Sequence, residues 1–85
     1  MPITMLYFAW VREAVGSGAE TVEPPATVAT VGALVDWLAE RSPAHAEAFA
    51  DRDRLRAAVD QRFVPLDAPI AGVREIALFP PVTGG

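Results

Sequence analysis

The chain has 85 residues, of which 52% are apolar, and it carries eleven acidic and seven basic residues with no cysteine. Its length excludes two domains, and its apolar content is typical of a folded chain rather than a disordered one. The formal charge of -4 and the lack of a basic run argue against nucleic acid as a partner. Without cysteine, disulfides, zinc-thiolate sites and thiol nucleophiles are also excluded.

Membrane association is not expected either. No stretch approaches the roughly 18 to 20 apolar residues that a membrane-spanning helix needs. No cationic segment precedes the apolar run near the N-terminus, as it would in a signal peptide. We therefore expect a cytoplasmic protein, and its negative charge favours a basic partner surface.

The N-terminal third predicts two strands around a helical turn. Residues 3–10 are rich in β-branched and aromatic side chains, which predicts a central strand buried on both faces. Residues 11–15 form a predicted helical turn that ends at Gly16. Residues 20–22 predict a short edge strand, because the prolines at 24–25 cannot donate ladder hydrogen bonds.

The middle of the chain predicts the main helix and a second, shorter one. Thr30 is a good N-cap for a helix through Arg41, because one face of this segment is apolar at helical spacing. Ser42-Pro43 has the N-cap and first-position residues of an alanine-rich helical segment that runs to about Ala50. The apolar face of the main helix comprises Val31, Leu34, Val35 and Leu38.

The C-terminal third predicts a polar turn at 51–54, a hairpin within 55–64 and an apolar strand at 75–79. The two prolines at 80–81 end this last strand. Since the first and last strands are both apolar, we place them adjacent and parallel at the centre of the sheet. The predicted fold is an α+β β-grasp, with a mixed sheet and one main helix packed on one face.

The side chains offer little for catalysis. His45 has no second ligand or nucleophile at a recognisable spacing, so we expect a solvated histidine and no metal site. The acid-base alternation at 51–54 is expected to be a solvated face. Trp10 and Trp37 are expected in the core, whereas Phe79 fits core and partner surface equally well. No phosphate-binding glycine loop is present, so the chain is not expected to bind ATP or another cofactor itself.

The C-terminus is the distinctive feature. We divide the chain into a β-grasp domain over residues 1–81 and an extended tail over residues 82–85, which ends in Gly84-Gly85. Four extended residues reach about 13 to 14 Å, and glycine lets a narrow channel close around the backbone. The terminal carboxylate is a poor electrophile until an ATP-using partner activates it, so the tail is predicted to be the reactive end.

The segment Phe-Pro-Pro-Val-Thr-Gly-Gly at 79–85 resembles the C-terminal signature of the molybdopterin synthase small subunits, a family of ubiquitin-like sulfur carriers. Weaker similarity covers residues 6–13, 58–61 and 67–70. The chain departs from the family where Asp60 replaces the usual asparagine, and in the loop before the last strand, where Val73-Arg74 interrupts the usual Gly-Asp-Glu.

The resemblance implies a non-catalytic, sulfur-donating subunit of a heterotetrameric synthase in molybdenum cofactor biosynthesis. An E1-like adenylyltransferase would use ATP to adenylate Gly85, and a sulfur-donating enzyme would convert it to a thiocarboxylate. The sulfur would then pass to cyclic pyranopterin monophosphate in the active site of the large subunit. The residues expected to contact partners are Gly84, Thr83, Val82, Pro81, Phe79 and Arg12.

Three other functions fit the sequence. A related carrier of the thiamine type shares the Gly-Gly end, although the alanine-rich segment and the Phe-Pro-Pro-Val-Thr sequence disfavour it. A ubiquitin-like protein modifier would instead attach Gly85 to target lysines. A β-grasp interaction module would leave the tail unused.

Overall fold

The computed structural model describes residues 2–81 as one mixed sheet with helices on one side. The sheet order is β2-β1-β5-β3-β4, with β1 and β5 parallel and the remaining pairs antiparallel. The predicted α+β β-grasp, with its first and last strands adjacent and parallel, is confirmed. The elements are β1 Ile3–Tyr7, α1 Ala9–Val15, β2 Ala19–Val22, α2 Val31–Ala39, α3 Pro43–Ala48, a 3-10 turn Arg52–Arg54, β3 Arg56–Val59, β4 Arg62–Val64 and β5 Glu75–Phe79.

The first strand is shorter than predicted, and only one of its faces is fully buried. It ends at Tyr7 because Ala9 has a φ of 53°, which no strand residue adopts, and the Phe8 carbonyl accepts hydrogen bonds from the amides of Val11 and Arg12. The strand therefore ends three residues before its predicted end, and the last two residues of the predicted strand belong to α1. Along β1, buried residues alternate with half-buried ones, because all the packed helices lie on one side.

The helices carry the caps that the sequence predicted. Thr30 accepts a hydrogen bond from the Ala33 amide at 3.1 Å, and Ser42 accepts one from the His45 amide at 3.1 Å. Helix α1 ends at Gly16, whose φ of 91° lies in the left-handed region that glycine adopts most readily. Helices α2 and α3 end about two residues earlier than expected. The predicted apolar face of α2 is fully buried: Val31, Leu34, Val35 and Leu38.

The predicted hairpin is confirmed, and its turn determines which side chains face outward. Asp60 and Gln61 have φ values of 47° and 72°, the positive values that a two-residue type I′ turn requires. Asp60 Oδ1 also accepts hydrogen bonds from the amides of Arg74 and Glu75, at 3.2 and 3.0 Å. The turn is thereby tied to the start of β5, and Ala58 is paired with Phe63 across the hairpin.

The prediction of a solvated His45 was wrong. Its side chain is only 12% exposed, and its Nε2 lies 2.7 Å from Glu20 Oε2, which also accepts the Tyr7 hydroxyl at 2.7 Å. The Ser42 hydroxyl lies 2.7 Å from His45 Nδ1. With Nε2 donating and Nδ1 accepting, the neutral imidazole satisfies both contacts and joins α3 to the edge strand β2.

The polar turn at 51–54 is largely exposed, as predicted, and none of its residues is buried. One contact ties it to the fold, since Arg52 pairs with Asp36 of α2. Trp10 and Trp37 are partly buried against the core, and each carries an arginine over its exposed ring. The guanidinium carbons of Arg54 and Arg41 lie 4.8 and 5.1 Å from the respective ring centres.

Candidate functional site

One side of the sheet is not covered by any helix within the described residues. Because strand side chains alternate between faces, the residues that do not enter the core must share this side. The pairing puts Leu6 beside Ala77, Ala77 beside Ala58, and Ala58 beside Phe63 in one row across four strands. We call this surface the open face and define its apolar part as Leu6, Phe8, Ala58, Phe63, Ala77 and Phe79.

Two aromatic side chains lie together toward the β4 edge of the open face. Phe63 is 82% exposed, and its ring lies 5.6 Å from that of Phe79, tilted by 50°. Small Ala58 lies between their strands and leaves room for the rings to meet. Beside them is a shallow cavity of about 320 Å³, lined by Arg56, Ala57, Phe63, Val64 and Phe79. An exposed apolar depression of this kind is typical of a protein-binding surface.

Phe8 extends the apolar surface at the end of β1. Its amide donates to the Leu78 carbonyl at 3.2 Å, which continues the parallel ladder, and its side chain is 49% exposed. Phe8 therefore lies at the same end of the sheet as Phe79. Three phenylalanines that are exposed or half-buried at one end of one face are unusual in a small soluble domain. A polar residue at any of these positions would leave the hydrophobic core intact.

The C-terminal tail begins at this same end. β5 ends at Phe79, and Pro80 and Pro81 follow in half-buried positions. The predicted site residues Val82, Thr83, Gly84 and Gly85 lie outside the described residues. Phe79 is thus the last strand residue before the segment that sequence analysis assigned to chemistry, and its side chain is on the open face rather than in the helix-covered core.

Arg12 is exposed on α1, away from the apolar centre. Its side chain lies against Gly18, where an added Cβ would stand 3.2 Å from Arg12 Nε. The Gly18 carbonyl accepts the Tyr7 amide at 3.0 Å, which places this contact at the end of β1 from which Phe8 continues. Arg12 and Phe79 therefore occupy the same end of the sheet, on different elements.

Among residues 2–81, no group of three or more His, Asp or Glu side chains is placed to hold a metal ion. In the same part of the chain, no helix is long and apolar enough to cross a membrane. Partial burial would raise the pKa of the Glu20 carboxyl, but hydrogen bonds from His45 and Tyr7 and the charge of Arg41 together lower it. This ionised group is structural, since His45 and Tyr7 enclose it.

A β-grasp sheet with helices on one face and an apolar open face beside the chain end defines a ubiquitin-like protein. The ThiS family model matches residues 5–85, and the chain belongs to that family. The match includes the Gly-Gly end.

Relatives of known name agree with this family. The molybdopterin synthase sulfur carrier subunit of Escherichia coli is 46% identical over 98% of this chain and 99% of its own length. The subunit of the same name from Haemophilus influenzae is 36% identical over 98% of this chain and 99% of its own. Small archaeal modifier protein 1 of Haloferax volcanii superposes with a TM-score of 0.70 at 27% identity, covering 95% of this chain and 98% of the other. The resemblance identified from the sequence is confirmed.

Sequence analysis singled out Phe79 but missed Phe8 and Phe63 as surface residues. Phe8 was hidden within the strand predicted over residues 3–10. Phe63 could have been found, because a two-residue turn at Asp60-Gln61 pairs Phe63 with Ala58 and so places both on one face. The sequence did not show which face of that hairpin the helices cover.

Proposed function

We propose that this protein is the sulfur carrier subunit of a molybdopterin synthase and that Gly85 carries the sulfur. The observation that carries the proposal is the full-length likeness to relatives of that name, within a family match that extends to residue 85. The chain contains no cysteine, so sulfur held covalently as an acyl group must reside at the terminal carboxyl. The protein is then a substrate that is charged, consumed and recharged.

The proposed chemistry uses partners for every catalytic step. An E1-like adenylyltransferase joins the Gly85 carboxylate to the adenylyl group of ATP, with release of pyrophosphate. A sulfur-donating enzyme then supplies sulfur to the acyl carbon as AMP leaves, which gives the thiocarboxylate. In the large subunit this sulfur forms a bond to cyclic pyranopterin monophosphate, and water then cleaves the bond between the sulfur and the acyl carbon, which restores the Gly85 carboxylate. ATP is thus used by the activating partner, and the carrier itself binds no cofactor.

The open face supports this role because it supplies a docking surface beside the tail. The large subunit is proposed to cover Phe8, Phe63 and Phe79, whose burial would remove exposed aromatic area from water. With Phe79 fixed in the interface, residues 82–85 can reach about 13 to 14 Å into a channel of the partner. Thr83 and Gly84 would thread that channel, with Val82 and Pro81 at its mouth and Arg12 at the margin of the contact.

A charging assay tests the proposal directly. The full chain, incubated with its adenylyltransferase, ATP and a sulfur source, should gain the mass difference between one sulfur and one oxygen, located on the C-terminal peptide. The matched control lacks Gly85 alone. It should fold as the full chain does and neither gain the mass nor support molybdopterin formation by the large subunit. Molybdopterin made with the truncated chain would remove Gly85 from the mechanism.

A second candidate function is supported by the likeness to small archaeal modifier protein 1 of Haloferax volcanii. In this function Gly85 would form an amide bond with a lysine of another protein instead of passing sulfur onward. The same charging assay, extended to a cell extract, separates the two: conjugates that contain Gly85 linked to lysine, without any thiocarboxylate, would favour the modifier. Restoration of thiamine rather than molybdopterin synthesis in carrier-deficient cells would favour the thiamine-type carrier.

A further inference from the structure

Arg56 stands at the margin of the open face, next to the origin of the tail. It is the first residue of β3 and is paired directly with Phe79, the last residue of β5. Directly opposed residues of antiparallel strands lie about 4.5 to 5.5 Å apart at Cα. The backbone of Arg56 therefore lies directly beside that of Phe79, the residue that precedes Pro80.

The Arg56 side chain is held in a defined orientation by its own backbone. Its Nη1 donates to the Leu55 carbonyl at 2.8 Å and to the Asp53 carbonyl at 3.2 Å. These carbonyls belong to the 3-10 turn, which Asp51 caps by accepting the Asp53 amide at 3.1 Å. An arginine held in this way loses less rotamer entropy when it meets a partner.

The remaining donors of Arg56 have the geometry that a carboxylate requires. A guanidinium carries five N–H groups, and the two on Nη1 point to carbonyls. Within residues 2–81, the Nε and Nη2 groups donate to no acceptor, and they form the side of the guanidinium that pairs with both oxygens of a carboxylate. The structure therefore leaves a two-pronged donor available beside Phe79.

The neighbouring arginines differ from Arg56 in this respect. Arg52 pairs with the Asp36 carboxylate and also donates to the Phe49 carbonyl, and Arg54 stacks on Trp10. Arg56 has no carboxylate within 4.0 Å in the described part of the chain. Its positive charge is uncompensated locally, although the chain as a whole has a formal charge of -4.

Arg56 lines two cavities. One is the apolar cavity beside Phe63 and Phe79, and the other is a cavity of about 480 Å³ whose lining includes Arg52, Asp53 and Pro65. An apolar side chain seated in the first cavity would exclude water from one side of the guanidinium. A charge-assisted pair formed there would be stronger than one at an open surface.

We propose that Arg56 determines partner specificity by forming a two-pronged ion pair with an aspartate or glutamate of the synthase large subunit, at the rim of the surface that covers Phe63 and Phe79. This inference rests on the proposed function, because it concerns the same docking surface. The ion pair fixes the orientation of the carrier on the large subunit, so that the tail enters the channel of the large subunit. Apolar contact alone is non-directional and leaves that setting undefined.

Binding measurements on the intact chain and the large subunit test the inference. Arg56→Glu should raise the dissociation constant at least tenfold, and Arg56→Gln should raise it somewhat less. Arg56→Lys should have the smallest effect, because lysine keeps the positive charge but lacks the paired N–H groups of the guanidinium. Arg62→Glu is the matched control: it makes the same charge change on an exposed residue of the adjacent strand, and it should change affinity by less than threefold.

Two further readouts separate a direct pair from a structural effect. The affinity of the Arg56→Gln protein should depend less steeply on salt than that of the wild type. One Asp→Lys or Glu→Lys change in the large subunit should restore most of the affinity lost by Arg56→Glu, while it weakens binding of the wild type. The midpoint temperature of thermal unfolding of each variant should lie within a few degrees of that of the Arg62→Glu control.

The possible failures are distinct. If the wild type binds its large subunit and Arg56→Glu binds as tightly as Arg62→Glu, the ion pair is refuted and the sulfur carrier function stands. If Arg56→Glu is weak but no charge reversal in the partner rescues it, the carboxylate partner is refuted. If the wild type does not bind the large subunit at all, both the ion pair and the proposed function fail.

Discussion

The two faces of the sheet use similar side chains for opposite purposes. On the covered face, Met5, Tyr7, Ile76 and Leu78 are almost completely buried beneath the helices. On the open face, the rings of Phe63 and Phe79 pack against each other, and Phe63 is 82% exposed while Phe79 is half-buried. Adjacent residues of one strand thus stabilise either the fold or, as proposed, a complex, and a two-residue repeat is enough to separate these roles.

The strongest test of this comparison uses two consecutive residues of β5. Leu78→Ala should lower the free energy of unfolding by about 2 to 5 kcal/mol, because it opens a cavity in the core. Phe79→Ala should lower it by about 1 kcal/mol, since Phe79 is half-buried on the open face and its ring packs against the exposed ring of Phe63. Urea denaturation measures both. Equal losses would show that Phe79 belongs to the core.

Phe63→Ala sharpens the comparison from the open side. With 82% of its area exposed, Phe63 should contribute less than about 0.5 kcal/mol beyond its contact with Phe79 to the free energy of unfolding. Its removal should nevertheless weaken binding to the large subunit about tenfold or more, which corresponds to ~1.4 kcal/mol. Calorimetric titration gives the affinity. Unchanged affinity with a normal fold would show that the partner covers another surface.

The hydrogen bonds of Glu20 with His45 and Tyr7 predict that the stability of the fold depends on pH, whereas partner binding on the open face does not depend on this network. Because the pKa of Glu20 is lowered in the folded protein, its ionised form adds stability above the ordinary value of 4.5, and this is lost as the pH falls through the lower folded pKa. Glu20→Gln should cost about 1 kcal/mol near neutral pH, from weaker hydrogen bonds to His45 and Tyr7.

The free energies of unfolding of the wild type and Glu20→Gln should be compared between pH 7 and pH 3. Their difference should shrink below pH 4.5, while the affinity for the large subunit at neutral pH stays unchanged. A difference that grows toward acid would show that the ionised carboxylate destabilises the fold.

The smallest expected effect concerns the turn that holds Phe63 outward. Gln61 has a φ of 72°, which costs a non-glycine residue about 1 to 2 kcal/mol. Gln61→Gly should relieve this strain. Because glycine also increases the conformational entropy of the unfolded chain, the net rise in the free energy of unfolding should be only about 0.5 kcal/mol. Gln61→Ala is the control and should bring no gain. A loss with glycine would mean that the Gln61 side chain stabilises the turn.

The sequence alone determined the local elements and much of their order. Thr30, Ser42 and Gly16 mark helix ends through short-range hydrogen bonds and backbone preference, which need no distant residue. The apolar repeat of α2 and the apolar first and last strands were sufficient for the β-grasp, and the Gly-Gly end indicated the family that the comparisons confirm.

Tertiary structure alone decided which apolar residues stay outside. The segment at 3–10 predicts one strand because its side chains are β-branched and aromatic, but a positive φ at Ala9 ends the strand and leaves Phe8 exposed at its end. His45 and Glu20 are 25 residues apart, and only the packing of α3 on the edge strand joins them. The hydrophobic effect is non-directional. An apolar sequence therefore predicts that a side chain is buried, but not whether the chain's own helices or a partner protein bury it.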